Sequence, residues 1–200
     1  MEIPRFQFQD LKDRVGKGVK SRAFALETES GPLIVKVLKR PYTTFDKAFD
    51  VAYQLQSEYE SYKKYLGPYV PESELAIIQD SKGRYRVLTV QEPIEGISFK
   101  DGIENAIKTD RTEHIKAFLT NGIRMRKEIG IILDLRGPRK VIGWWFPSRT
   151  KNVLVEIGDD GSLVPKLLDV NFISGEHLGI QKAHPFFHTK AIKRLLESLG

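Results

Sequence analysis

Lys36 sits inside an apolar run, Leu33–Leu38 (LIVKVL), where a buried amine must be paired with a carboxylate or another anion. Downstream, Phe45, Ala48, Phe49, Ala52, Leu55, Tyr62 and Leu66 recur at three- and four-residue steps. Glu58 falls between Leu55 and Tyr62 on that stripe, while Glu60 lies off it as an exposed residue would. Pairing Lys36 with Glu58 solves two burial problems at once; the alternative is that strand alternation turns Lys36 to solvent. Two other residues could share a task. Asn152 precedes one short apolar run, Val153–Glu156, and Asp169 follows another, Val164–Leu168. At the ends of paired strands their oxygens could meet at a hard cation. Taken singly, Asn152 reads as a turn residue and Asp169 as a cap. Upstream, Gly16-x-Gly18 permits the tight backbone approach that a loop over a phosphate needs and that any hairpin also uses.

These residues need elements to hold them. Val15–Leu26 reads as two short apolar stretches divided by small and basic residues, Glu27–Pro32 (ETESGP) as a turn, and Leu33–Leu38 as a β-branched buried strand. Thr43 and Asp46 give a capping-box-like start to a long helix, which Gly67-Pro68 ends. Tyr85–Pro93 reads as a strand, Ile94–Phe99 as a connector, and Glu113–Ile129 as a helix. The segment GDDGS marks a hairpin around Asp160-Gly161, and Pro185–Leu199 a closing helix. Strands dominate the front and helices the back, with a hinge near Pro93–Gly96, so two lobes are expected.

In this order the motifs resemble the protein-kinase-like superfamily, over roughly residues 11 to 175. The resemblance is carried by GxGxxS (Gly16, Gly18, Ser21), the strand lysine, the helix glutamate, a strand ending in Glu92 before a Gly-containing linker, Arg149-Thr-Lys-Asn152, and Leu167-Leu168-Asp169-Val170-Asn171. It implies an α+β, two-lobed fold: an antiparallel-sheet N-lobe with one helix over residues 1–93, and a reduced, mainly helical C-lobe over 94–200. It implies ATP and Mg²⁺ (or Mn²⁺) as cofactors. By the same resemblance, Gly16, Gly18 and Ser21 cover the nucleotide, Lys36 holds its phosphates and Glu58 orients Lys36. The backbone at Glu92 and Ile94 would take adenine, and Asn152 and Asp169 would bind the metal. Ile34 departs from the pattern, which has a small residue two places before the lysine.

A second departure concerns the chemistry. The superfamily's catalytic base lies five residues before the metal-binding asparagine, and here that residue is Pro147, which accepts no proton. Asp134, in LDLRGPR, resembles the start of a catalytic loop and would serve as base if RKVIGWWFPSRTK were an insertion. Otherwise the base is absent, and Asp134 caps a helix or pairs with Arg136. Arg149 matches the catalytic-loop lysine and could neutralise a γ-phosphate. Only 31 residues follow Asp169, too few for the usual activation segment and large helical lobe. The chain therefore resembles minimal kinases of the RIO and Bud32 type and small bacterial kinase-like proteins. The function implied is an atypical Ser/Thr protein kinase. The alternatives are a pseudokinase that binds nucleotide or a protein partner, and a basic nucleic-acid-binding protein.

Composition sets the outer bounds. In 200 residues, 40% are apolar and 29% charged, enough for a core and a solvated surface. The absence of cysteine rules out disulfides and thiol catalysis. No apolar run reaches the roughly 18 residues of a membrane span, and the N-terminus lacks a signal-peptide layout, so a cytoplasmic protein with no membrane partner is expected. The net charge of +6 is uneven: eight Lys or Arg fall between Thr120 and Lys151. Such a stretch suits nucleic acid, an acidic partner, a phosphate-rich ligand or simply solvent. Trp144, Trp145 and Phe146 could stack bases but read better as core. His184 and His188 have helical metal-ligand spacing without acidic or cysteine neighbours, and are not taken as a metal site.

Overall fold

The computed structural model describes residues 11, 14–17, 21–131, 133, 135, 150–168 and 184–200, with Lys17 and 184–188 by backbone alone. The chain divides into two compact units: residues 1–60 with 71–93, and residues 61–70 with 94–200.

The first unit is an antiparallel sheet carrying one helix. Its strands are β1 (Arg14–Lys17), β2 (Ser21–Thr28), β3 (Gly31–Leu38), β4 (Ser73–Gln79) and β5 (Tyr85–Gln91), in the spatial order β1-β2-β3-β5-β4. Helix α1 (Phe45–Leu66) connects β3 to β4 and passes its last turn to the second unit. The β2–β3 turn is tight because Gly31 adopts φ +119°, and the Thr28 hydroxyl donates to its carbonyl at 2.6 Å. Helix α1 starts one residue later than the Thr43–Asp46 pattern suggests. The Lys47 amide donates to Thr44 Oγ1 at 3.5 Å, so Thr44 is the cap.

Alternation on β3 separates the two faces of the sheet. Leu33, Val35 and Val37 point into one core with Leu11, Leu26, Leu88 and Val90. Leu38 lies on the other face, where α1 packs Ala48, Ala52 and Leu55 against Val87, Leu75 and Ile77. The β4–β5 turn is clamped by Asp80. One carboxylate oxygen accepts from the Lys82 and Arg84 amides, and the other from the guanidinium groups of Arg84 and Arg86 at 2.9–3.1 Å. Burial pushes this carboxyl up, but the hydrogen bonds from Arg84, Arg86 and Lys82 outweigh it and hold it well below the usual carboxylate range.

The second unit contains the end of α1, a 3₁₀ turn at Gly67–Tyr69, β6 (Ile97–Ser98), α2 (Phe99–Thr109), α3 (Glu113–Ile129), β7 (Val153–Ile157), β8 (Leu163–Leu167) and α4 (His184–Ser198). The three strands form an antiparallel sheet in the order β6-β7-β8. Phe118, on α3, receives the rings of Tyr69 and Phe99 edge-on, at 5.6 and 6.0 Å between centroids. The expected connector Ile94–Phe99 is corrected here, since Ile97 and Ser98 form β6 and Phe99 opens α2. Ser98 caps that helix by accepting the Asp101 amide at 3.2 Å. Gly102 stands in its middle because a Cβ there would lie 2.4 Å from Val155 Cγ2. No helix among the described residues is long and apolar enough to cross a membrane.

Candidate nucleotide-binding face and metal hairpin

Strand register gathers the first-unit candidates into one row. Gly16 pairs with Ala23, Ala23 with Lys36, Lys36 with Thr89, and Thr89 with Leu75, so one line crosses all five strands. Lys36 stands at its centre, half-buried, on the face that bears α1. The row marks a border on that face. Toward Leu38 and Val87 the surface is covered by α1; toward Ile34 and Gln91 no α1 residue joins the packing cluster.

Gly16 and Ala23 keep the row shallow beside the lysine. A Cβ on Gly16 would lie 3.3 Å from Ala23 Cβ, closer than ordinary packing allows. Gly16 does not have the positive φ that glycine uniquely permits, so here it matters for space rather than torsion. The small side chains leave room next to an amine, which suits a phosphate. Bulk increases one row away, where Ile34 faces Gln91.

Glu58 lies on α1, half-buried, one turn beyond Leu55. Its Oε1 accepts from Gln54 Nε2 at 3.3 Å, and both Glu58 and Lys36 engage further polar groups. Gln91 was not singled out from sequence. It ends β5 opposite Ile34, is only 3% exposed, and its side-chain amide makes no hydrogen bond with a described residue. A buried amide with no hydrogen bond to a described residue is costly to desolvate. Burial and strand pairing reveal it; neither is visible in the linear pattern YRVLTVQ. Ser21 is buried at the start of β2, opposite Leu38. Glu92 is exposed and Ile94 half-buried, and neither backbone is hydrogen-bonded to a described residue.

The second unit carries the other half of the candidate set. Asn152 stands just before β7, its amide donating to Thr150 Oγ1 at 3.1 Å. The Leu168 amide donates to the Asn152 carbonyl at 2.7 Å, so the β7–β8 hairpin fixes these two residues side by side at its open end. Asp169 is the next residue in the chain and lies outside the described residues, as do Gly18, Asp134, Pro147 and Arg149. Among the described residues no group of three His, Cys, Asp or Glu could hold a metal ion. Asn152 alone offers one neutral side-chain oxygen, too few ligands for a hard cation. The aromatic run Trp144–Phe146 and the side chains of His184 and His188 also fall outside the description.

No protein-family model matches the chain, and no curated protein matches it. Among solved structures, it is similar to the pseudokinase DRIK1 (drought responsive inactive kinase 1) bound to ENMD-2076, at 12% identity and a TM-score of 0.45. That similarity covers 92% of this chain and 65% of the other. A second pseudokinase, solved in its apo form, is similar at 12% identity and a TM-score of 0.43, over 82% of this chain and 55% of the other. The chain thus spans less than two thirds of either, and neither is of the RIO or Bud32 type. Its own element order is that of an α+β protein with a sheet-rich first unit and a mainly helical second.

Proposed function

We propose that this chain is a kinase-like nucleotide-binding module of the pseudokinase kind, in which the first unit takes nucleotide phosphates on Lys36. The observation that carries this reading is the row Gly16–Ala23–Lys36–Thr89, a single cation on a half-covered sheet face with the smallest side chains beside it. Glu58 supports it from α1, which packs on that face. The Gln91 amide, one row away and hydrogen-bonded to no described residue, would offer donors and acceptors to a base or an ordered water. Asn152 and Asp169 would hold Mg²⁺ or Mn²⁺, which when bound neutralises phosphate charge. The protein residues bind and orient; Pro147, standing where a proton acceptor is expected, is the reason to separate binding from transfer.

The test is a thermal-shift series with ATP, with and without Mg²⁺, on wild type, Lys36→Ala and Asp169→Ala. Ligand at about 100 times Kd adds about 2.7 kcal/mol. That is a Tm rise on the order of 5–10 °C for a chain of this size. Wild type should show the rise, Lys36→Ala should lose it, and Asp169→Ala should lose only the part that depends on metal. Equal shifts in all three would sink the proposal.

A phosphotransferase is the second reading, favoured by the presence of Lys36, Glu58, Asn152 and Asp169 in a working order. In it Asp134 accepts the proton of a Ser or Thr hydroxyl, and Arg149 offsets charge on the γ-phosphate. It predicts transfer of labelled phosphate from ATP to a protein, abolished by Asp134→Ala; the pseudokinase reading predicts no transfer by wild type. A nucleic-acid partner for the 120–151 stretch predicts instead salt-sensitive retention that ignores Lys36→Ala.

A further inference from the structure

We infer that the solvent side of α1 is a docking surface for a partner segment that is apolar in the middle and basic at its edge. Phe45, Phe49 and Tyr53 are spaced four residues apart and form one stripe, 49%, 53% and 70% exposed. Three large aromatics in line on one helix are more than scattered surface apolarity, because they form a continuous patch. The Phe45 and Phe49 ring centroids are 6.0 Å apart, and Tyr85 extends the patch, meeting Phe45 edge-on at 5.7 Å. Phe49 and Tyr53 take no part in the packing of Ala48 and Ala52 against the sheet, while Phe45 meets that packing only through the edge of Tyr85.

Charge selects the occupant. With about 100° per residue, Asp46 and Asp50 flank the stripe on its solvent side, while Lys47 points well away from it. Asp46 and Asp50 are both exposed, which makes this a local acidic edge on a chain of net charge +6. Arg40, at the near end, is drawn over the ring of Tyr42 at 6.0 Å. A second copy fits poorly, since two-fold pairing centred on Phe49 would set Asp50 against Asp50. An anionic membrane would be repelled by the same edge. A basic amphipathic helix satisfies both features, laying its apolar side on the three rings and its Lys or Arg along the aspartates. This inference is independent of the nucleotide reading.

The experiment uses the full chain and two labelled helical peptides of about 18 residues with the same leucine face, flanked in one by lysines and in the other by glutamates. Fluorescence anisotropy should show the lysine peptide binding at least about tenfold tighter than the glutamate peptide. Phe49→Ser with Tyr53→Ser should weaken it by at least about tenfold, and Asp50→Lys should erase the preference between peptides. Unchanged thermal melts of these variants exclude unfolding as the cause, and wild type should stay monomeric in sedimentation and ignore vesicles of anionic lipid. Equal binding of both peptides, no binding of either, insensitivity to the ring substitutions, Phe49-dependent self-association, or vesicle binding would each overturn the inference.

Discussion

At the scale of single residues, the row through Lys36 shows why an amine can be tolerated in an apolar strand. Gly16 and Ala23 remove bulk on one side, Thr89 offers a hydroxyl on the other, and the face is only partly covered. Lys36 and Glu58 were conspicuous in sequence because each is a charge in an apolar pattern, and both are half-buried. Gln91 was not, because one amide at the end of a strand looks like any polar terminus until the strand is paired and buried. The two differ in what substitution should do. Lys36→Arg keeps the charge but not its compact shape, and should recover less than half of the ATP-induced Tm rise that Lys36→Ala loses. Gln91→Leu removes a buried amide that hydrogen-bonds to no described residue, so the ligand-free protein should gain on the order of 1 kcal/mol while its ATP-induced shift shrinks. Chemical denaturation with and without ATP checks both halves; a destabilised ligand-free Gln91→Leu protein would mean the amide has found a partner after all.

At the scale of elements, periodicity worked where the pattern was long and failed where a glycine or a short run concealed it. Helix α3 occupies Glu113–Ile129 as its spacing indicates, and β3 and α1 sit on their apolar runs. Helix α2 was missed because Gly102 lowers helical propensity at its centre. The same glycine is what lets α2 approach β7, so the local rule is broken for a tertiary reason. Gly102→Ala should therefore cost about 1–3 kcal/mol, despite alanine being the better helix former, and a urea melt reads this directly. Strand β4 was missed because Ser73–Gln79 is short and has apolar residues on both faces. Its turn into β5 makes a pH-dependent contribution. The Asp80 carboxyl titrates lower in the folded than in the unfolded chain, so its stabilisation is complete above the unfolded value of about 4. It is lost as pH falls through the folded value. Asp80→Asn should be clearly less stable than wild type at pH 7, with the gap narrowing below about pH 4. A gap that widened on acidification would contradict the arginine clamp.

At the scale of the molecule, two lobes could be foreseen from strands giving way to helices, but not which residues each unit needs. A division at the hinge, 1–93 and 94–200, looks natural in the linear sequence. The compact units divide differently, because Ser61–Val70 groups with the second unit although it precedes β4. The reason is packing. Within that segment Tyr62 and Leu66 are each 1% exposed and Tyr69 is 5% exposed, with the Tyr69 ring against Phe118 and its hydroxyl 3.3 Å from His114 Nδ1. Lys166, on β8, reaches back to donate to the Pro68 carbonyl at 3.1 Å. Fully burying each of these large side chains is worth about 1.5–3 kcal/mol, so the segment supplies several kcal/mol, comparable to the net stability of an ordinary domain. A fragment of residues 94–200 should then show no cooperative thermal transition by circular dichroism. The same fragment with residues 61–70 joined to its N-terminus through a flexible linker should regain one. A cooperative melt of 94–200 alone would show that the helix end and its 3₁₀ turn are dispensable to the second unit.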